Sequence, residues 1–172
     1  MESSIHNLMY EFDKLENIEL DLSKKITNLN QLPYSIQRGF EAALAASSHS
    51  DWPTRRTQMG SAIFMGSRLM SIGFNHFNKA RPGNKFYKMR QDGIIVEYVK
   101  PFHAEQSALV KIRYREYPSR KKLVMFVYRT DAQGQPASSF PCQMCQNEIS
   151  KSCISTVHFF APGGFYGYWQ VR

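Results

Sequence analysis

The residue types best suited to chemistry in this chain fall into two short motifs. The first runs from His103 to Glu105 (HAE), and the second runs from Pro141 to Cys145 (PCQMC). One imidazole and the two thiols of a Cys-x-x-Cys pair form a set of three ligands that suits zinc. Three protein ligands leave the fourth tetrahedral position open, which distinguishes a catalytic zinc site from a structural one. The sequence therefore predicts a Zn2+ site made by His103, Cys142 and Cys145.

Glu105 lies two residues after the histidine, where a carboxylate can move protons beside the open zinc position. The alternative interpretation is a structural zinc knuckle, with Cys153 or another histidine as the fourth ligand. A structural site needs no acid beside it, so Glu105 favours catalysis. We expect Cys153 to be buried in the core, as free cysteines usually are, and His158 to be a strand residue rather than a ligand.

The charge of the chain is concentrated in the part that holds the motifs. The net charge is +8 over 172 residues, and residues 76–130 contain 13 Lys or Arg against four Asp or Glu. Residues 1–50 are mildly acidic instead, with seven Asp or Glu against four Lys or Arg. A basic half around the motifs fits a phosphate-bearing substrate. The alternative is a solvated basic surface without a function.

Hydrophobic spacing predicts the elements that must position the motifs. Apolar residues at helical spacing predict a helix over residues 5–15, capped by Ser3 or Ser4, and another over 34–47. Two apolar runs around a Gly-Ser turn predict a β-hairpin over 58–75. The later predicted elements are a weak strand at 93–99, a helix at 103–114, a strand at 122–128, a helix from Cys142, and strands at 156–160 and 166–171.

This order of helices and strands predicts an α/β fold with three layers and one central sheet. Residues 1–33 are interpreted as an N-terminal helical extension, and residues 34–172 as the domain that carries the zinc site. The long connection over 76–101 is typical of a functional or mobile loop. We expect a reducing, cytoplasmic location, because the chain shows no secretory signal or membrane-spanning run and zinc-binding thiolates need reducing conditions.

From about Tyr34 to Phe160 the chain resembles the cytidine and deoxycytidylate deaminase superfamily, which also includes tRNA adenosine deaminases and polynucleotide cytosine deaminases. Both motifs carry the resemblance, because H-x-E followed by P-C-x-x-C is the pattern of the zinc-dependent nucleobase deaminases. Further matching segments are Met59-Gly60-Ser61-Ala62-Ile63, Ile72-Gly73-Phe74-Asn75 and Ile154-Ser155-Thr156-Val157.

The resemblance implies a three-layer α/β/α cytidine-deaminase-like fold with a mixed central sheet. It places the zinc ligands at the N-termini of two adjacent helices. It further implies that zinc activates water for attack on the amine-bearing ring carbon. The residue matching Glu105 then carries protons without binding the metal. The residue matching Asn75 contacts the sugar in this family.

The expected function is hydrolytic conversion of cytosine to uracil. The substrate is either single-stranded nucleic acid or a free (deoxy)cytidine nucleotide such as dCMP, and the excess of basic residues slightly favours the polymer. The alternatives are adenosine-to-inosine deamination in RNA or tRNA, and a non-catalytic, zinc-stabilised nucleic-acid-binding module. We do not expect the protein to bind a membrane. Assembly into a homo-oligomer is compatible with the sequence. The predicted substrate-binding residues are Asn75, Ala104, Arg81, Lys85 and Lys88.

The resemblance is interrupted by ten residues, 131–140, just before Pro141. Many deaminases of free nucleotides pass almost directly from the strand to the Pro-Cys motif. The insertion therefore predicts an altered rim around the substrate.

Overall fold

A computed structural model describes residues 17–50, 58–76, 85–89, 93–99, 102–113, 123–131 and 133–171 of the chain. A short 3-10 turn at Leu29–Gln31 precedes the first helix. The described helices are α1 (Tyr34–Ser47), α2 (Ala104–Arg113) and α3 (Gln143–Ser150). The described strands are β1 (Ile18–Lys25), β2 (Met59–Met65), β3 (Arg68–Phe74), β4 (Lys85–Met89), β5 (Ile95–Val99), β6 (Leu123–Arg129), β7 (Ile154–Ala161) and β8 (Phe165–Gln170).

The central sheet has six strands in the order β1-β8-β7-β6-β2-β3. The β6–β7 pair is parallel and the other neighbouring pairs are antiparallel. The predicted mixed sheet is therefore confirmed. β4 and β5 form a separate antiparallel pair. No helix among the described residues is long and apolar enough to cross a membrane.

Helices cover both faces of this sheet, as the three-layer prediction requires. On β6, Phe126 packs in one buried cluster with Phe40 of α1, whereas its neighbour Met125 packs in the other with Leu109 of α2 and Ile149 of α3. Adjacent residues of a strand point to opposite faces, so the two clusters lie on opposite sides of the sheet. The motif-bearing helices α2 and α3 therefore share one face.

Two glycines allow helices to lie directly on the hairpin strands. A Cβ on Gly60 of β2 would overlap the carbonyl oxygen of Ala43 in α1. A Cβ on Gly73 of β3 would overlap the carbonyl oxygen of Ala104 and the backbone nitrogen of Ala108 in α2. Gly60 thus sets the approach of α1, and Gly73 sets the approach of the helix that begins next to His103.

The N-terminal part of the chain differs from the prediction. The helix predicted over residues 5–15 lies outside the described residues. From residue 18 the chain forms strand β1 and pairs antiparallel with β8, so the helical extension predicted for 1–33 is wrong for Ile18–Lys25. Ile18 and Leu20 alternate with Glu19 and Asp21, and this two-residue period places both apolar side chains against the core. The domain boundary at residues 33 and 34 remains a prediction.

The connection over 76–101 contains more regular structure than its sequence indicates. β5 confirms the weak strand predicted at 93–99, and β4 pairs with it although no strand is predicted there. The sequence of β4, KFYKM, is short and contains two lysines, so its strand pattern is weak.

His158 of β7 is part of an aromatic stack on the α1 side of the sheet and lies outside the cluster of His103, Cys142 and Cys145. Its ring lies parallel to that of Phe126, with centroids 4.7 Å apart, and parallel to that of Tyr166 on the other side at 5.9 Å. Its Nδ1 is hydrogen-bonded to the Tyr166 hydroxyl at 2.8 Å. Burial lowers the pKa of His158 to about 4 from its ordinary value of 6.5. The folded protein therefore keeps this imidazole neutral.

Replacing His158 by phenylalanine is expected to make the fold less sensitive to acid. In the unfolded chain the imidazole of His158 is protonated near pH 6.5, whereas in the folded protein it is protonated only near pH 4. Its contribution to stability is thus complete above pH 6.5 and is lost as the pH falls towards 4. At a pH midway between 6.5 and 4, the free energy of unfolding of the parent should have fallen by about 2 kcal/mol more than that of His158→Phe. Urea unfolding of both proteins, freed of metal and compared at neutral and acidic pH, measures this difference. Equal losses would contradict it.

Candidate active site

The two motifs lie at the beginnings of α2 and α3. The first helical hydrogen bond of α2 runs from the Ser107 N–H to the His103 carbonyl, at 2.9 Å. The corresponding bond of α3 runs from the Gln146 N–H to the Cys142 carbonyl, also at 2.9 Å. His103 and Cys142 are therefore the residues on which the two helices start. A helix N-terminus carries partial positive charge, which favours a thiolate at Cys142.

The side chains of His103, Cys142 and Cys145 converge between these helix starts. The Nδ1 atom of His103 lies 3.5 Å from the Sγ of Cys142 and 3.4 Å from the Sγ of Cys145. The three potential ligand atoms all lie within 4.8 Å of one another. The donor set, one imidazole nitrogen and two sulfurs, has the chemistry that zinc prefers. The site thus fits the predicted zinc and offers it three protein ligands.

The pKa values of the two thiols are shifted in opposite directions. Hydrogen bonds from Cys145 and His103 lower the pKa of Cys142 to about 3. The pKa of Cys145 is instead raised well above its usual range by the hydrogen bond with Cys142 and by burial. Without metal, the buried Cys145 thiol therefore stays protonated at neutral pH. Zinc ligation requires both thiolates, so metal binding releases that proton.

Glu105 lies in the first turn of α2 and is only 2% exposed. Burial raises the pKa of its carboxyl group, while His103 and the Cys145 thiol act on it in the opposite direction. Its Oε2 atom is buried and has no hydrogen-bond partner among the described residues. A buried carboxylate oxygen is costly to leave unsatisfied, so this atom is available to a group that enters the site.

Gln106 connects the two motif-bearing helices and is likewise 2% exposed. Its Oε1 accepts a hydrogen bond from the His103 N–H at 3.2 Å. Its Nε2 donates to Oε1 of Glu148 in α3 at 2.8 Å. Gln106 therefore fixes the backbone of a zinc ligand and ties α2 to α3. Gln106 is not among the site residues predicted from sequence, although Gln at the third position of a helix is a recognised capping signal.

The end of β3 is held beside the first motif. His76 and Phe102 form a two-way backbone bridge, with N–H···O distances of 2.8 and 3.2 Å. The preceding residue, Asn75, is buried, and its Oδ1 accepts hydrogen bonds from the Met59 N–H at 2.9 Å and the Ser50 hydroxyl at 2.7 Å. The bridge brings Asn75 to the same end of the sheet as His103. Its contact with the sugar remains a prediction.

The other predicted substrate-binding residues are only partly described. Ala104 is fully buried where α2 meets Gly73. Lys85 and Lys88 lie on β4, but their side chains are outside the described part of the chain, and so is Arg81 as a whole. Their roles remain predictions.

The insertion at 131–140 is tied to the sheet end on which the motifs lie. Asp131 closes a tight turn, because its Oδ1 accepts hydrogen bonds from the backbones of Gln133 and Gln135 at 2.9 and 2.8 Å. Ser139 then joins the two parallel strands. Its hydroxyl donates to the Val127 carbonyl at 2.7 Å and accepts from the Phe160 N–H at 2.9 Å. These bonds fix the approach to Pro141 and Cys142.

Gly73→Ala is expected to disturb the metal site through the helix that carries it. The added methyl group would meet the backbone of α2 at Ala104 and Ala108, so the start of the helix must shift. We expect a loss of about 1–3 kcal/mol in the free energy of unfolding and a lower zinc content per chain. Metal analysis and chemical denaturation measure the two effects.

Gly60→Ala is the matched control, because its methyl group would meet α1 on the opposite face. It should lower stability and leave the zinc content near that of the parent. If both variants lose zinc equally, α2 is not positioned by Gly73 in the way described.

Comparisons with known proteins agree with this site. The sequence matches the family model for the cytidine and deoxycytidylate deaminase zinc-binding region over residues 33–161. No curated protein sequence matches the chain significantly.

Three solved structures show partial similarity. The first is a cytidine deaminase from Burkholderia pseudomallei, with 18% identity and a TM-score of 0.48 over 74% of this chain and 84% of that one. The second is the dCMP deaminase of cyanophage S-TIM5, with 20% identity and a TM-score of 0.47 over 73% and 82%. The third is a cytidine deaminase from Mycobacterium leprae, with 22% identity and a TM-score of 0.48 over 77% and 92%.

The family match shows the family of the chain, because it includes both motifs and strands β2, β3, β6 and β7 of the central sheet. With that match over about three quarters of its length, the chain belongs to the cytidine and deoxycytidylate deaminase family.

Proposed function

We propose that the protein is a zinc-dependent hydrolytic deaminase that converts cytosine to uracil, in a free nucleotide such as dCMP or in single-stranded nucleic acid. One observation carries this proposal. The buried carboxyl group of Glu105, with an oxygen that has no partner among the described residues, lies beside the cluster of His103, Cys142 and Cys145. A site that only stabilises the fold does not need such an acid.

His103, Cys142 and Cys145 would hold zinc, which when bound supplies the Lewis-acid chemistry that makes water nucleophilic near neutral pH. Glu105 is the general acid and base. It takes the proton of the attacking water and delivers protons to the ring nitrogen and to the leaving amine. Burial raises its pKa towards the range in which a carboxyl group can both accept and donate a proton. Water supplies the oxygen, and ammonia leaves.

The same proposal assigns the binding of substrate to the end of the sheet around β3. Asn75 contacts the sugar, Ala104 forms part of the wall of the base pocket, and Arg81, Lys85 and Lys88 contact phosphates. The clustered free thiols support a reducing, cytoplasmic location. Assembly into a homo-oligomer is compatible with the proposal but is not required by it.

A panel of dCMP, deoxycytidine, single-stranded DNA, RNA and tRNA tests the function. Deamination is followed by ammonia release and by a gain of about one mass unit in the product. We expect conversion of cytosine to uracil in at least one member of the panel. Activity that falls steeply with added salt would identify a polymer as the substrate, because binding a polymer releases many counterions.

Two outcomes of this panel would contradict the proposal. Inosine in tRNA without any uracil would identify an adenosine deaminase. Zinc-loaded protein that binds nucleic acid and deaminates nothing would identify a non-catalytic binding module.

A further inference from the structure

Arg129 is a cation at the active-site end of the sheet for which the family assignment provides no role. It is the last residue of β6. Leu123, Met125 and Val127 of the same strand belong to the core cluster beneath α2 and α3, and Arg129 continues their two-residue spacing. Its cross-strand neighbour Met59 packs against the same cluster. The Arg129 side chain is therefore on the face that carries the metal ligands.

Two neighbours locate Arg129 relative to the site. The backbone N–H of Met59, directly opposite Arg129, donates to the side chain of Asn75 at 2.9 Å. On its other side, Nη1 of Arg129 donates to the carbonyl oxygen of Ser138, four residues before Cys142, at 3.5 Å. Arg129 thus lies between the strand end that holds Asn75 and the segment that leads into the second motif.

The guanidinium group of Arg129 makes few hydrogen bonds to the described residues in this position. Arg129 is partly buried, and its Nε atom is buried without a hydrogen-bond partner among the described residues. Its bond to Ser138 is at the outer limit of hydrogen-bond length. No acidic side chain in the described part of the chain bonds to it. A buried charge without a counterion is costly, whereas an entering anion would satisfy both the charge and the free donor.

We propose that Arg129 is a substrate-binding residue that binds the 5′-phosphate of the cytosine nucleotide. This inference rests on the proposed function and refines it, because it names the residue of β6 on which the preference for a phosphorylated substrate would depend. A guanidinium group can bind two phosphate oxygens at once through charge-assisted hydrogen bonds. The phosphate can belong to a free nucleotide or to a nucleotide within a strand, and the two share this chemistry.

Kinetics of Arg129→Gln with dCMP, deoxycytidine and a short cytosine-containing DNA oligonucleotide test the inference. For the parent, we expect a higher kcat/KM with the phosphorylated substrates than with deoxycytidine. For the variant, kcat/KM should fall roughly 10- to 100-fold for the phosphorylated substrates, mainly through KM, and change little for deoxycytidine. Arg129→Lys should recover part of the loss, because it restores the charge without the planar donor pair.

The free and polymeric sources of phosphate are separated by the same measurements. A loss confined to dCMP identifies a free nucleotide, and a loss confined to the oligonucleotide identifies a strand. Arg68→Gln is the matched control, because Arg68 is an exposed arginine at the opposite end of the hairpin. It should leave all three activities unchanged. An equal loss for deoxycytidine and dCMP in Arg129→Gln, or no loss at all, would overturn the inference.

Phosphate binding gives a readout that does not depend on turnover. In a zinc-loaded Glu105→Gln background, inorganic phosphate should raise the melting temperature when Arg129 is present and not when it is replaced by Gln, and dCMP should raise it more when Arg129 is present. If the parent deaminates nothing but this Arg129-dependent shift is present, the proposed function fails and the anion site stands. If the shift is the same with and without Arg129, the inference fails whatever the enzymatic result.

Discussion

Glu105→Gln is expected to lower kcat for cytosine deamination by roughly 10²- to 10⁴-fold, the range that removal of a general acid or base produces. Glutamine keeps the shape of the side chain but cannot accept a proton from water or pass one to the leaving amine. The carboxyl group is buried beside the metal ligands, so solvent cannot easily replace it. Steady-state kinetics on the best substrate of the panel measure the loss.

The fold and the zinc content should survive this substitution. The carboxyl group of Glu105 has a buried oxygen without a partner among the described residues, so replacing it by a neutral amide removes a potential buried charge. Glu41→Gln is the matched control, because Glu41 is exposed on α1 and should affect none of these properties. If Glu105→Gln retains parental kcat with full zinc content, the proton carrier is another group and the mechanism proposed above is wrong.

The parts of the fold that could be predicted from sequence are those with strong local signals. The helix predicted at 34–47 coincides with α1, and the hairpin predicted at 58–75 is β2 and β3. The helices that follow His103 and Cys142 begin where the motifs place them. In each case, the hydrophobic period or a turn residue identifies the element without knowledge of its neighbours.

The parts that could not be predicted depend on contacts between distant segments. β1 is an edge strand whose partner, β8, lies at the far end of the chain, and only that pairing distinguishes it from a polar connection. The position of Arg129 depends on the register of β2 against β6. In sequence it is one of 13 basic residues between 76 and 130, and composition cannot select one of them. Gln106 has a local signal, but its bond to Glu148 depends on the packing of two helices.

Loss of either motif cysteine is expected to abolish deamination, because two protein ligands hold zinc much less tightly than three. We expect about one zinc per chain in the parent and much less in Cys142→Ser and Cys145→Ser. Bound zinc also stabilises the folded state, by about 4 kcal/mol when its free concentration is a thousand times the dissociation constant. Metal analysis, activity and thermal melts with and without a chelator measure these effects. Cys153→Ser is the matched control, because Cys153 is outside the ligand cluster and should keep zinc and activity.

The two serine variants should differ once the metal is removed from all proteins. Cys142 is exposed and is the residue on which α3 starts, a position where serine is a favourable cap. Cys142→Ser without metal should therefore be about as stable as the metal-free parent. Cys145 is fully buried in the cluster with Ile149 and Val157, so a serine hydroxyl there costs about 1–3 kcal/mol. Urea unfolding in the presence of a chelator should give a lower free energy of unfolding for Cys145→Ser than for Cys142→Ser.

Equal free energies of unfolding would mean that Cys145 contributes to the core no more than the exposed thiol, contrary to its packing. Zinc retained by either variant would mean that His103 and a single cysteine are sufficient ligands, and the three-ligand site would then be wrong.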